Sequence, residues 1–262
     1  MKTLPAIHPN PGLRQRYAKE LTQLLRAMSK DFMRNIERVY RKHEAQIAMD
    51  AAPVAELQTL INTLMKRWSR RWDKAAERVA TWFVESVRKQ TGYSLDKALR
   101  DAGFTFKRSD AVVTDVVAAL IQENVNLIKS IPQQYHTDIT GIVMRAVSTG
   151  EDVKYISQQL TKRYNVEENR AKLIARDQTN KATQAITQSR DRDLGVTEGI
   201  WVHLPGLKTS RKTHKAMNNK TFKLAEGMYD SSVKRKVKPA ELPYCQCIYR
   251  AVIPEFLDDK KE

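Results

Sequence analysis

Apolar residues recur at every third or fourth position through the first third of the chain and predict two long helices. One apolar stripe runs from Leu13 to Ile47 and a second from Leu57 to Trp82, a spacing that places these side chains on one face of a helix. The sequence DAAP at 50–53 interrupts the pattern, because a proline disfavours helical backbone in the residue before it. We therefore expect an antiparallel helical hairpin.

Three tryptophans and one histidine fall on these stripes. Trp68, Trp72 and Trp82 have a heptad-like spacing in the second helix, which favours packing in a core over stacking on nucleic-acid bases. His43 occupies a stripe position in the first helix, so we expect it to be a core residue rather than a ligand.

The middle of the chain also has helical periodicity. Residues 91–110 are expected to form a break that contains a short helix. Ser109 can cap the helix that follows, and Pro132 should separate that helix from the next one.

Two further helices are expected before residue 196. Thr149 and the acidic residues after it suit the start of the first helix, and Asn165 should end it. The second is expected from Glu167 to Leu194, with Gly195 as its C-terminal cap.

The pattern changes after Gly195. The short β-branched and aromatic runs at 199–204 and 246–254 predict strands. The predicted fold is mainly α, with a long N-terminal helical hairpin and a helical bundle followed by a small C-terminal α+β subdomain. The expected segments are a basic hairpin at 1–104, further helices at 105–196 and a basic α+β part at 197–262.

The net charge of +16 is concentrated in two blocks. Residues 1–100 carry 20 Lys/Arg against 10 Asp/Glu, residues 101–207 carry 13 of each, and residues 208–238 carry 10 against 2. Two basic blocks around a neutral middle favour a polyanionic partner. Nucleic acid is favoured over a membrane because the apolar faces of the basic helices need a protein core, and no apolar run approaches the roughly 20 residues of a membrane span.

Double-stranded DNA is therefore an expected partner, bound through phosphates. The predicted phosphate-binding side chains come from the second helix and from the basic C-terminal segment: Arg67, Arg70, Arg71, Lys74, Lys208, Arg211, Lys212, Lys215, Lys220, Lys223, Lys234, Arg235, Lys236 and Lys238.

The only two cysteines, Cys245 and Cys247, stand one residue apart. So few cysteines, with no apolar leader at the N-terminus, predict a reducing compartment and no disulfide framework. Together with His214 and His203 they could form a zinc site, but the usual Cys-x2-Cys spacing is absent. The favoured interpretation is two small side chains packed on one strand face near His214; redox-active thiols are a further alternative.

An ordered set of residues resembles a known family. The core RAKLIARDQTNKA, from Arg170 to Ala182, is followed by Gly195 and Trp201, then by an Arg-x-x-His element and a Cys-x-Cys element. Order and spacing over roughly residues 105–255 resemble the phage head-morphogenesis family, that is, Mu F-like minor head proteins. The carrying residues are Arg170, Arg176, Asp177, Trp201, Arg211, His214, Cys245 and Cys247.

Two positions depart from the family pattern. Asp177 and Gln178 stand where Thr-Glu is common, and an acidic residue often found before the Arg-x-x-His element is missing. Roles that need those side chains cannot be transferred to this chain.

The resemblance implies a virion protein rather than an enzyme. Such proteins are minor components of tailed-phage heads, inside the shell near the portal vertex, and occupy the host cytoplasm during assembly. The implied partners are the portal protein, capsid or scaffold proteins and DNA, with a homo-oligomer as a further expectation. No cofactor is expected apart from the zinc alternative, and no membrane.

Two other functions are weighed against this. THKAMNNK at 213–220, with His214 and Asn218 or Asn219, resembles a fragment of an HNH nuclease. In that interpretation His214 would activate water and Glu226 or Asp230 would serve a metal. The helices at 149–164 and 167–194 could instead form a DNA-reading helix-turn-helix.

The polar residues in the middle of the last predicted helix have two interpretations. Arg176, Asp177 and Gln178 could offer a contact surface for the portal or for other copies of the chain. The favoured interpretation is an intramolecular network with the Trp201 strand.

Overall fold

The computed structural model describes residues 2–43, 54–104, 109–204 and 210–254. As predicted, the fold is mainly α with a small C-terminal α+β region. The long helices are α1 Pro11–Lys42, α2 Val54–Asp101, α3 Thr114–Ser148 and α4 Val153–Asp193, with a 3₁₀ turn at Ala111–Val113. The remaining elements are β1 Glu198–Val202, α5 Lys212–Met217, β2 Thr221–Lys223, β3 Met228–Asp230, β4 Arg235–Val237 and β5 Ile248–Ala251.

The chain forms two compact units, and each is assembled from segments that lie far apart in sequence. The first unit contains residues 1–15, 82–121 and 175–262, and the second contains residues 16–81 and 122–174. The composition-based division at 104 and 196 stays a prediction.

The second unit buries the two predicted stripes. The core of α1 includes Tyr17, Met28 and Phe32, and that of α2 includes Trp68 and Trp72. These two tryptophans are therefore packing residues, as predicted, although Trp68 also donates its indole N–H to Asp31 at 2.8 Å. Burial of such large side chains is the main stabilising contribution to a helical unit of this kind.

Two details of the stripes differ from the prediction. Leu25 and Ala76 are fully buried, whereas their neighbours Leu24 and Ala75 are half-buried. His43 is partly exposed, with its Nε2 2.7 Å from the Glu56 carboxylate, so it is not a core residue. The predicted break at DAAP and the stripe position Ile47 lie outside the described residues.

Three predicted helix breaks are wrong, because tertiary packing overrides local propensity. α2 continues through Gly92, α3 continues through Pro132, and α4 continues through Asn165. A proline inside a helix costs about 3 kcal/mol. Ile131 and Tyr135 beside Pro132 are fully buried, and each such burial contributes about 1.5–3 kcal/mol.

The observed helix ends use glycine and aspartate caps. After α2, Gly103 has φ +86°, and the N–H of Phe104 reaches the carbonyl of Leu99 at 2.9 Å, as in a Schellman motif. After α4, the predicted cap Gly195 has φ +76°. The start of α4 is capped by Asp152, whose Oδ1 accepts the N–H of Tyr155 at 2.7 Å, rather than by Thr149.

One segment is long and apolar enough to cross a membrane by length and composition. Within 111–148 an 18-residue window has a mean hydropathy of 1.4, and 33% of that window is buried. Its exposed positions include only alanines and polar residues, among them Ala118, Gln122 and Asn126, while Val117 and Leu120 are buried. This alternation is typical of a helix with one face in a protein core.

The first unit contains a three-stranded antiparallel sheet in the order β2-β1-β5. The predicted strands at 199–204 and 246–254 are β1 and β5, which pair from Gly199–Ala251 to Val202–Ile248. The N-terminal residues also reach this sheet, since the N–H of Leu4 donates to the carbonyl of Ala251 at 2.9 Å.

The end of α4 is unusual because its buried side chains are mostly polar. Within the first unit the structure buries a run of hydroxyl, amide and charged residues: Gln178, Thr179, Asn180, Thr183, Gln184, Thr187, Gln188, Ser189, Arg190 and Asp191. Thr179, Thr183 and Thr187 each donate to the carbonyl four residues earlier. Buried polar groups must find partners, which the threonines find within the helix.

Candidate functional site

The two cysteines and two histidines meet at one place in the first unit. His214 Nδ1 lies 3.3 Å from Cys245 Sγ and 3.6 Å from Cys247 Sγ. His203 Nδ1 lies 3.5 Å from Cys247 Sγ. We call these four residues the Cys–His cluster. They line a cavity of about 20 Å³, which has room for one ion or one water molecule and for nothing larger.

The strand register brings these residues together. Val202 of β1 pairs with Ile248 of β5, so His203 and Cys247 are neighbours just beyond the paired ends. The short helix α5 carries His214. The turn before Cys245 has Tyr244 in left-handed backbone, at φ +62°. Strand β5 begins only at Ile248, so the two cysteines lie before the strand and not on the strand face where they were predicted.

Asp230 of β3 orients His214. Its Oδ2 lies 3.0 Å from His214 Nε2, and its Oδ1 accepts the Ser232 N–H at 2.8 Å and the Ser232 hydroxyl at 2.7 Å. Asp230 is 0% exposed and His214 is 2% exposed. This contact leaves His214 Nδ1 directed at the sulfurs, and the edge of the Trp201 ring closes another side, with ring centroids 5.4 Å apart.

The surroundings stabilise a thiolate at Cys245. Hydrogen bonds from Cys247 lower the pKa of Cys245, and the nearby His214 lowers it further. Burial acts in the opposite direction, and the net result is a pKa of about 4. The hydrogen bond to that thiolate and burial raise the pKa of Cys247. Burial lowers the pKa of His214, but the contacts with Cys245 and Asp230 outweigh it and raise the pKa overall.

Helix α4 holds the Cys loop, which we define as residues 243–247. Asp177 Oδ1 accepts the backbone N–H of Tyr244 at 2.5 Å, and Asn180 donates to the carbonyl of Cys245 at 3.3 Å. When the Gln246 amide is turned so that its oxygen faces Arg176, this oxygen accepts a hydrogen bond from Arg176 Nε at 2.7 Å. Arg176 and Asp177 thus contact the Cys loop within the molecule.

The remaining motif residues are structural as well. Arg211 donates to the carbonyl of Pro243 at 3.1 Å, so it contacts the Cys loop from the other side. In the second unit, Arg170 donates to Ser130 Oγ at 2.9 Å and pairs with the buried Glu167 at 3.3 Å. Gln178 is buried.

Of the residues predicted for an HNH nuclease, the structure brings Asp230 to His214. His214 is enclosed by Asp230 and the sulfurs, so it does not face solvent where a substrate could bind. Asn218 accepts the backbone N–H of His203 at 2.8 Å. Glu226 is exposed and pairs with Lys223 and Lys236. A helix-turn-helix is also excluded, because α4 is one continuous helix.

A basic groove runs along α1 in the second unit. One hollow of about 570 Å³ lies between α1 and α2, and an adjoining hollow of about 530 Å³ is lined by α1 alone. The basic groove is lined by Lys30, Arg34, Arg38, Arg41, Arg67 and Arg71. Arg67 and Arg34 pair with Asp31, and the Arg71 guanidinium lies 4.7 Å from the Trp68 ring centre.

Only two of the six basic residues of this groove were predicted from the sequence. Arg67 and Arg71 were named, but the four residues of α1 were missed, because two helices had to pack before their basic faces could combine. The spacing of Lys30, Arg34 and Arg38 at every fourth position is the signal that could have revealed them. Arg70 and Lys74, which were also predicted, are exposed on α2 but do not line the basic groove.

The predicted C-terminal phosphate ligands fall into two classes. Arg235 pairs with Glu241, while Lys236 and Lys223 pair with Glu226. The second class consists of lysines that form no ion pair with any residue the structure describes. These are Lys212, Lys215, Lys220, Lys234 and Lys238. Lys208 lies outside the described residues.

Comparisons with known proteins agree with the family resemblance. The sequence profile of the family described as "Phage Mu protein F like protein" matches residues 137–250, which confirms the resemblance to phage head-morphogenesis proteins. A Haemophilus influenzae (strain Rd) protein, described as "Uncharacterized protein", is 26% identical over 252 residues, which cover 90% of this chain and 52% of the relative. The chain thus spans about half the length of that relative. No solved structure gives a significant match.

Proposed function

We propose that the chain is a minor head protein of a tailed phage that binds double-stranded DNA non-specifically, with the basic groove as its main phosphate-binding surface. The similarity to a phage head family supports the general class, and the DNA interaction is an inference from charge. The observation that carries it is the alignment of six basic side chains from α1 and α2 along one open groove.

The charge of the groove is only partly neutralised. Asp31 pairs with Arg67 and Arg34, and Glu37 is occupied by the Ser157 hydroxyl at 2.7 Å. Lys30 and Arg41 form no ion pair with any described residue. Exposed cations of this kind are attracted to phosphate and release counterions when they bind it.

The groove favours binding without sequence specificity. Its basic side chains stand on the outer faces of two helices that pack side by side, and neither helix is presented singly as the major groove would require. Such contacts position a protein on the sugar–phosphate backbone and carry no base information. This suits a protein that meets packaged DNA of any sequence inside a head.

Portal and procapsid association is a second part of the proposal and rests on the family resemblance. We propose that the chain joins the head near the portal vertex during assembly in the host cytoplasm, through contacts with the portal, capsid or scaffold proteins. Co-purification of the full chain with the portal protein of the same phage genome tests this directly. A portal that elutes without the chain at micromolar concentrations of both contradicts it.

Fluorescence anisotropy with 20-base-pair duplexes of unrelated sequence tests the DNA interaction. We expect the same affinity for each duplex and a linear fall of log affinity with log salt concentration. The double variant Lys30→Gln/Arg41→Gln should reduce the slope by about 1.8, since each lost phosphate contact accounts for about 0.9.

The matched control is Lys154→Gln/Lys162→Gln. It removes two exposed lysines of α4 and the same total charge, so it should leave most of the slope in place. If both variants change the slope equally, the basic groove is not the binding surface. A strong preference for one duplex would contradict non-specific binding.

A further inference from the structure

We propose that the Cys–His cluster is a structural zinc site, in which His203, His214, Cys245 and Cys247 bind one Zn²⁺ as four ligands. This proposal does not depend on the DNA-binding function.

The spacing of the donor atoms fits a tetrahedral zinc ion. With Zn–S of about 2.3 Å and Zn–N of about 2.05 Å, neighbouring S and N ligands in a tetrahedron lie about 3.6 Å apart. The three N–S separations in the cluster are 3.3, 3.6 and 3.5 Å. The donor atoms of His214, Cys245 and Cys247 also lie within 4.8 Å of one another, so three ligands are already grouped, and His203, 3.5 Å from Cys247 Sγ, would turn toward the ion to complete the set.

The groups around the ligands are those that zinc sites use. Metal-binding histidines usually donate their second ring N–H to a carboxylate, which fixes the ring and increases its basicity. Asp230 accepts from His214 Nε2 in this way, at 3.0 Å. His203 Nε2 has the Ser210 hydroxyl at 3.4 Å, so both imidazoles have a polar partner on the side away from the sulfurs.

The sulfurs are held where backbone N–H groups can stabilise negative charge. The backbone N–H groups of Cys247 and Leu204 hydrogen-bond the sulfurs of Cys245 and Cys247, respectively. Both thiols would release a proton to solvent on binding, because zinc is bound by thiolates. Two thiolates and two neutral imidazoles would balance the two positive charges of the ion.

The location gives such a site a structural role. Its four ligands come from the end of β1, from α5 and from the Cys loop, three segments separated in sequence. The strands of this region are short, between three and five residues. A metal would tie these three segments together where the strands alone provide few backbone hydrogen bonds. Ordinary packing of two thiols explains the burial, but not the convergence of both histidines and a buried carboxylate.

The first test measures the metal. The full chain is expressed with added zinc, purified without chelators and assayed by elemental analysis. We expect one zinc per chain in the wild type and in His8→Asn, a control at an exposed histidine. Cys245→Ser and Cys247→Ser should contain less than about a tenth of that amount, because each removes a soft thiolate ligand.

The second test does not require the cysteine variants to fold. Cobalt(II) added to chelator-treated wild-type protein should give thiolate-to-cobalt charge-transfer absorption and the intense visible bands of a tetrahedral ion. Asp230→Asn should keep one site but weaken its zinc affinity by 10–100-fold, as expected for a residue that positions a ligand. A wild type that holds no zinc and gives no tetrahedral cobalt spectrum overturns the proposal, as does unchanged zinc content in soluble, folded Cys245→Ser.

Discussion

The carboxylate of Asp177 accepts the backbone N–H of Tyr244 at 2.5 Å, immediately before the first of the two cysteines. Tyr244 has a left-handed backbone, with φ +62°, a conformation that costs roughly 1–2 kcal/mol for a residue with a side chain. The helix carboxylate therefore stabilises the strained turn that directs Cys245 toward His214. A polar residue in the middle of α4 thus determines the geometry of a loop 67 residues later.

Asp177→Ala should lower the free energy of unfolding by about 1–3 kcal/mol, because it removes a charge-assisted hydrogen bond at a largely buried position. Thermal and urea denaturation measure this. Asp193→Ala, at an exposed position near the end of the same helix, should change stability by less than about 0.5 kcal/mol. Equal stability of both variants and the wild type would show that the Asp177 contact does not hold the Cys loop.

Gly227 should tolerate alanine much less well than Gly150. Both have positive φ, at +81° and +66°, but a Cβ at Gly227 would lie 2.7 Å from the Val237 carbonyl carbon, whereas a Cβ at Gly150 meets nothing within 4 Å. Gly150→Ala therefore measures the backbone strain alone, about 1 kcal/mol, and Gly227→Ala adds a steric clash with β4. We expect the difference between their unfolding free energies to exceed about 1 kcal/mol. Similar values would show that the turn before β3 adapts to the added methyl group.

Asp191 should make stability fall as the pH rises toward neutrality. Burial, only partly offset by Tyr249 and Arg190, raises the pKa of Asp191 from 3.8 to about 7. A raised pKa in the folded state means that the stabilisation is fully present below pH 3.8 and is lost as the pH rises through about 7. Asp191→Asn keeps an acceptor for the Tyr249 hydroxyl, which lies 2.5 Å from Asp191.

Urea denaturation of both proteins at pH 5 and pH 8 measures this effect. The wild type should lose stability relative to Asp191→Asn between these two values. All other titrating groups are common to both proteins, so they cancel in the difference. A difference that does not change with pH would show that Asp191 is ionised throughout this range.

The two classes of C-terminal lysine and arginine should contribute unequally to DNA binding. Lys212 and Lys215 form no ion pair with any described residue, whereas Arg235 and Lys236 are held by Glu241 and Glu226. Lys212→Gln/Lys215→Gln should therefore weaken binding more than Arg235→Gln/Lys236→Gln, although each removes two charges. Anisotropy titrations at two salt concentrations measure the difference. Equal losses would show that only the net charge of the region matters.

Neutralising the C-terminal basic turn should act alike on every DNA sequence. The variant with glutamine at Lys234, Arg235, Lys236 and Lys238 should weaken binding to unrelated duplexes by the same factor and flatten the salt dependence. A loss confined to one duplex would instead indicate base recognition near this turn, where Tyr229 is 60% exposed.

Much of this protein follows from its sequence alone. The apolar stripes of α1 and α2, the Gly195 cap and strands β1 and β5 were predictable, because each depends on residues within one or two turns of one another. The ordered Arg, His and Cys elements also revealed the resemblance to Mu F-like proteins, which the family profile over residues 137–250 supports. These features are local in the chain, so a pattern of residue types is enough to reveal them.

Only the tertiary structure decided the rest. Gly92, Pro132 and Asn165 are local helix breakers, yet all three lie inside helices. At Pro132, burial of Ile131 and Tyr135 outweighs a cost of about 3 kcal/mol. The polar end of α4 has the composition of a solvent-exposed helix but is buried, because its hydroxyl and amide groups find partners within the first unit. The Cys–His cluster depends on strand register and on contacts between residues that are far apart in sequence, and no local preference encodes such contacts.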